Sequence, residues 1–97
     1  MNRLPAKSTR LIVEESNRVG VQFLLADLAT AVTFLNAADV TQSDKSRRRN
    51  RQNALTAYQT VLRLLPRVTP SNEEQQALTR QLDALKARLT AIGLIQD

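Results

Sequence analysis

VGVQFLLADLATAVTFLNAAD, residues 19–39, decides the fold, because it reads either as a membrane span or as the main helix of a bundle. Asp27, Asn36 and several threonines interrupt its apolar character. A transmembrane helix needs about 20 mostly apolar residues without a central charge, so the run is read as a helix of a soluble domain. Its apolar residues recur at helical spacing. Val21, Leu24, Leu25, Leu28, Val32 and Leu35 form one stripe, and Phe23, Ala26, Thr30, Phe34 and Ala37 form a second beside it. Two stripes predict a helix packed on two neighbours. Gly20 costs about 1 kcal/mol against Ala in a helix interior, which places the regular start near Asn17 and the outer limits at about 14–38.

Downstream, DVTQSDKS (39–46) has the composition of a linker, with Ser43 or Asp44 as the N-cap of a second helix over about 44–65. Ala54, Leu55, Tyr58, Val61, Leu62 and Leu65 share one face of it, and Pro66 is expected to stop it. The short PRVTP link favours an antiparallel neighbour. The third helix, about 71–92, begins at a capping box, since Ser71 and Glu74 are three residues apart. Leu78, Leu82, Leu85, Leu89 and Ile92 then alternate steps of four and three, an a/d seam ending at Gly93, which is placed to cap it. Only about two heptads are present, so the seam is assigned to core rather than to a zipper. The expected architecture is an all-α, antiparallel three-helix bundle over residues 11–97, preceded by a mobile basic segment, residues 1–10. Helix-turn-helix DNA readers use much shorter helices.

The chain has 97 residues, 42% of them hydrophobic, enough for one small aliphatic core. Cysteine and histidine are both absent, which removes disulfides, thiolate or imidazole metal sites and Ser-His or Cys-His nucleophile pairs. With Gly20 and Gly93 as its two glycines, the chain has no Gly-rich phosphate loop, so no cofactor is expected. Glu14–Glu15 and Glu73–Glu74 are adjacent pairs that point about 100° apart on a helix, unlike a shared carboxylate site. A non-enzyme follows as the expectation. The apolar run Leu11–Val13 is too short for a signal-peptide core, so a cytoplasmic location is the default.

The net charge of +5 is uneven: +3 over residues 1–10, −3 over 11–43, +6 over 44–67 and −1 over 68–97. Most of it comes from DKSRRRNRQ, where Lys45, Arg47, Arg48, Arg49 and Arg51 open the second helix. Cations in a first helical turn are disfavoured by about 0.3 to 1 kcal/mol each, so helix stability alone would not select them. Arg47 and Arg51 continue the apolar stripe and are expected to pair with Asp27 or Asp39, while Arg48 and Arg49 project away into solvent. Arg47, Arg48, Arg49 and Arg51 together are the candidate anion-binding residues. A continuous basic face joining them to Arg3, Lys7 and Arg10 would favour nucleic acid or another polyanion as the ligand. Aromatic stacking platforms, common in single-strand binders, are missing.

The segments LLADLATAVTFLNAAD, RQNALTAYQTVLRLLPRV and SNEEQQALTRQLDALKARL resemble tetratricopeptide-like helical hairpins. In helix number and length they also resemble the microtubule-interacting and trafficking (MIT) three-helix bundle. The second-helix pattern Ala-Leu-x-x-Tyr-x-x-x-Leu is carried by Ala54, Leu55, Tyr58 and Leu62, whereas the usual Gly-Asn/Asp turn before it is replaced by the arginine run. What the resemblance implies is a protein-interaction module whose groove accepts an amphipathic helix, with Phe23 and Phe34 at or near it. A homodimer covering the spare apolar stripe is the other protein partner to expect. A membrane surface is not expected, because the bundle core needs the apolar face beside the arginines.

Overall fold

The computed structural model describes residues 6–96, with side chains described for residue 10 and residues 12–96. Three helices, α1 (Ala6–Val40), α2 (Asp44–Leu64) and α3 (Asn72–Ala91), pack on one another, with a 3₁₀ turn, Leu65–Arg67, between α2 and α3. Among the described residues there is no strand. The all-α three-helix bundle is therefore observed.

Each helix begins where its local chemistry allows. Ser43 caps α2 by accepting a 3.2 Å hydrogen bond from the Ser46 N–H. At α3 the capping box is complete: the Ser71 hydroxyl accepts from the Glu74 N–H at 3.2 Å, and the Glu74 carboxylate accepts from the Ser71 N–H at 2.8 Å. Gly93, with φ 78°, ends α3 in a Schellman motif: its N–H donates to Thr90 O, and the Leu94 N–H donates to Leu89 O, both at 3.0 Å. Pro66 does not cut α2 off. It sits in the first turn of the 3₁₀ segment, where its missing N–H costs nothing, and the chain tightens before leaving the helix.

The core is drawn from all three helices. Val21, Leu24, Leu28, Ala31 and Leu35 of α1 meet Ala54, Ala57, Tyr58 and Val61 of α2 and Leu78, Leu85 and Leu89 of α3. Small residues in the core, Ala31, Ala54 and Ala57, suit the close approach of α1 to α2, its most extensive partner. The α2 face differs from expectation at two positions: Ala57 is buried, and Leu62 is exposed.

The largest departure from expectation is α1. It has 35 residues, about 52 Å at 1.5 Å per residue, against 21 and 20 for α2 and α3. Helix therefore begins at Ala6 rather than near residue 14, taking in residues 6–10 of the anticipated N-terminal segment, whose first five residues lie outside those described. The link after α2 crosses α1 at two points. Asn17 clamps Thr69, its Nδ2 donating to Thr69 O at 2.5 Å and its Oδ1 accepting from the Thr69 N–H at 2.6 Å. Three residues on, Gly20 lies under Val68: a Cβ there would sit 2.9 Å from Val68 Cγ1, so glycine is explained by close approach. Before Asn17, α1 projects past the bundle. The radius of gyration is 17.2 Å and the extents 62 × 25 × 18 Å, whereas a compact domain of this length has a radius of gyration of about 12.5 Å.

Candidate interaction surface

Two features compete to be the functional surface: the arginine run at the start of α2, and the outward face of α1. The arginines do not act as one unit. Arg47 is held locally, donating to Asp44 Oδ1 at 2.6 Å and to Thr41 O at 2.8 Å, so it closes the α1–α2 turn. The expected pairing of Arg47 or Arg51 with Asp27 or Asp39 is not what forms. Asp39 is engaged by Arg88 of α3 instead, whose guanidinium also donates to Asn36 Oδ1, at 3.1 and 3.0 Å respectively. The reason is reach: Arg47 lies beside the carboxylate three residues before it, and α3 returns its last turn to the end of α1. Arg51 is half-buried, and its Nε is buried without a hydrogen-bond partner. Arg48 and Arg49 are exposed and, among the described residues, make no ion pair.

Among the described residues no continuous basic face forms either. The antiparallel hairpin puts the run beside the C-terminal end of α1, while Lys7 and Arg10 lie in its first turns, about 45 Å away along the helix. Arg3 lies outside the described residues.

The second apolar stripe of α1 is divided. Phe34 and Ala37 are half-buried, and Phe34 packs against the core, but Phe23, at 53% exposure, Ala26 and Thr30 face solvent. α1 packs into the core through Val21, Leu24, Leu28, Ala31 and Leu35; Val32, expected in the first stripe, is exposed and Ala31 takes its place, and the second stripe remains open over much of its length. The outward face has a register of its own. Ile12, Ser16, Val19, Phe23, Ala26, Thr30, Thr33, Ala37 and Val40 alternate steps of four and three through four heptads, and none is charged. All but Ala37 are exposed. At four heptads, this second a/d seam reaches the three to four that mark a coiled-coil surface. By length and composition alone, Ile12–Val40 would also cross a membrane, and 28% of its most apolar window is buried in the bundle.

A cleft of about 570 Å³ lies where α1 leaves the bundle and is lined by Ile12, Val13, Glu14, Ser16 and Asn17 together with Arg67, Val68 and Thr69. Neither Phe23 nor Phe34 lines it, and the outward face of α1 is a convex helix surface rather than a groove. Among the described residues no three His, Cys, Asp or Glu side chains gather as metal ligands would. Comparison of the chain with protein-family models, curated proteins and solved structures found no match.

Proposed function

We propose that this protein is a non-catalytic helical interaction module whose binding surface is the outward a/d seam of α1. The observation that carries the reading is four heptads of uncharged a/d positions, all but Ala37 exposed, with Val19 and Phe23 more than half exposed, at 59% and 53%. Soluble helices normally place charged and polar residues on the face opposite the core. A surface that is uncharged at heptad spacing, with Ile12, Val19, Phe23, Ala26 and Val40 exposed along it, is shaped to receive another helix as knobs into holes. The resemblance to tetratricopeptide-like and MIT-like bundles points to the same class of role, with the difference that a convex seam replaces a groove.

The reading is tested by placing the photo-crosslinker p-benzoylphenylalanine at Phe23 and, as a control, at Gln81, which is exposed on α3. Irradiation in the source cells should give protein adducts from position 23 that position 81 does not give. Equal yields from both positions, or none from position 23, would remove the seam as a binding surface.

A polyanion grip is the second reading, favoured by the exposure of Lys45, Arg48 and Arg49, which make no ion pair among the described residues. Two or three phosphate contacts would make affinity fall only about 10- to 40-fold between 50 and 200 mM salt. Fluorescence anisotropy with short DNA and RNA at those salts separates the two: salt-sensitive binding abolished by Arg48→Ala with Arg49→Ala would favour the grip.

A further inference from the structure

Resting on that reading, we infer that the partner of the α1 seam is a second copy of this chain, bound antiparallel. Three observations converge on a self-complementary pair.

The first is surface. The chain exposes 7155 Å², about 1,600 Å² more than a compact monomer of its mass. A standard dimer interface removes about 800 Å² from each partner, less than this excess. The projecting turns of α1 and its open seam are what a dimer of this chain would cover.

The second is shape. Apart from Ser16 and Val40, the larger residues, Ile12, Val19 and Phe23, lie in the N-terminal half of the seam and alanines and threonines in the C-terminal half. An antiparallel pair brings unlike halves together. In the register that sets Phe23 opposite Ala26 of the other copy, Ile12 falls opposite Ala37 and Val19 opposite Thr30, so the two largest side chains, Phe23 and Ile12, each meet an alanine. The same register lays the overhang of α1 along the second half of its counterpart, which accounts for a helix longer than its own bundle can cover. A parallel pair would stack Phe23 on Phe23 and leave the small half loosely packed.

The third is charge. A parallel pair would bring two arginine runs to the same end, where their like charges repel. The antiparallel register separates them by roughly 35 Å along the axis, well beyond the screening length of about 8 Å at physiological salt. It also places each run at the level of Glu14 and Glu15 of the other copy, both exposed.

Sedimentation equilibrium of the full chain between about 1 and 500 μM tests the inference. The expected result is twice the 10.8 kDa chain mass at the upper concentrations, with association weakened at least tenfold by Phe23→Asp and by Ala26→Glu while the far-ultraviolet circular dichroism stays unchanged. Orientation is read from spin labels at Glu15→Cys, the chain having no other cysteine: about 28 Å between labels supports the antiparallel pair, and under about 15 Å overturns it. A monomer at all concentrations overturns the dimer. If position 23 still crosslinks to other proteins, the interaction reading survives with a different partner; if it crosslinks to nothing, both fall. Co-sedimentation of the monomer with phosphatidylcholine vesicles would overturn the dimer in favour of a bilayer.

Discussion

The molecule carries two heptad seams that differ in what they meet. In α3, Leu78, Leu85 and Leu89 are buried and Leu82 and Ile92 half-buried, all consumed by the bundle. The outward seam of α1 is longer, built from smaller residues, and left in water. Leucine at nearly every position gives a helix enough apolar area to hold a tertiary core. Alanine and threonine give little area but allow close approach, which suits a surface whose partner arrives later. Heptad spacing alone therefore says that a helix face will be covered, and composition says by what.

Mutations should separate the two seams by the size of their effect on folding. Leu85→Ala removes a side chain 1% exposed at the centre of the core, and should cost about 2 to 5 kcal/mol in urea unfolding. A loss below about 1 kcal/mol would mean that α3 is not anchored as described. Gly93→Ala forces a side chain into a left-handed backbone position with nothing within 4 Å to clash, so its cost is the backbone term alone, about 1 to 2 kcal/mol. Asn17→Ala severs both hydrogen bonds to Thr69, and should lower stability by about 1 to 2 kcal/mol at the point where the bundle stops and the overhang begins.

Smaller effects sharpen the contrast. Gly20→Ala normally gains about 1 kcal/mol in a helix, but the approach of Val68 should hold the net change near zero. Combining it with Val68→Ala should release the gain, and a double-mutant cycle in thermal unfolding reads the coupling. Arg88→Ala breaks an ion pair 37% exposed on the arginine side, and its cost should stay under about 1 kcal/mol.

Much of the fold was legible because its signals are local. The capping box at Ser71 and Glu74, the serine before α2, the glycine after α3 and the leucine seam of α3 each occupy a few consecutive turns, and each stands where the residues placed it. The Arg88–Asp39 contact spans 49 residues, and nothing in either neighbourhood announces the other. The Arg47–Asp44 pair, three residues apart on one helix, was within reach of spacing, because a carboxylate in the same first turn lies nearer to Arg47 than Asp27 or Asp39 on another helix. The open seam was half legible. Phe23, Ala26 and Thr30 stood out as a stripe, yet periodicity cannot show whether a stripe is covered within the chain, and that depends on α1 outrunning its neighbours.

The most direct test of the α1 seam as an association surface is fluorine NMR of the chain with 4-fluorophenylalanine at its two phenylalanines. Phe23→Tyr identifies each signal by removing one. The Phe23 resonance should move and broaden as concentration rises from micromolar to millimolar, while 3-fluorotyrosine at buried Tyr58 holds its shift. A Phe23 signal that stays at its dilute, water-exposed position throughout would contradict the account.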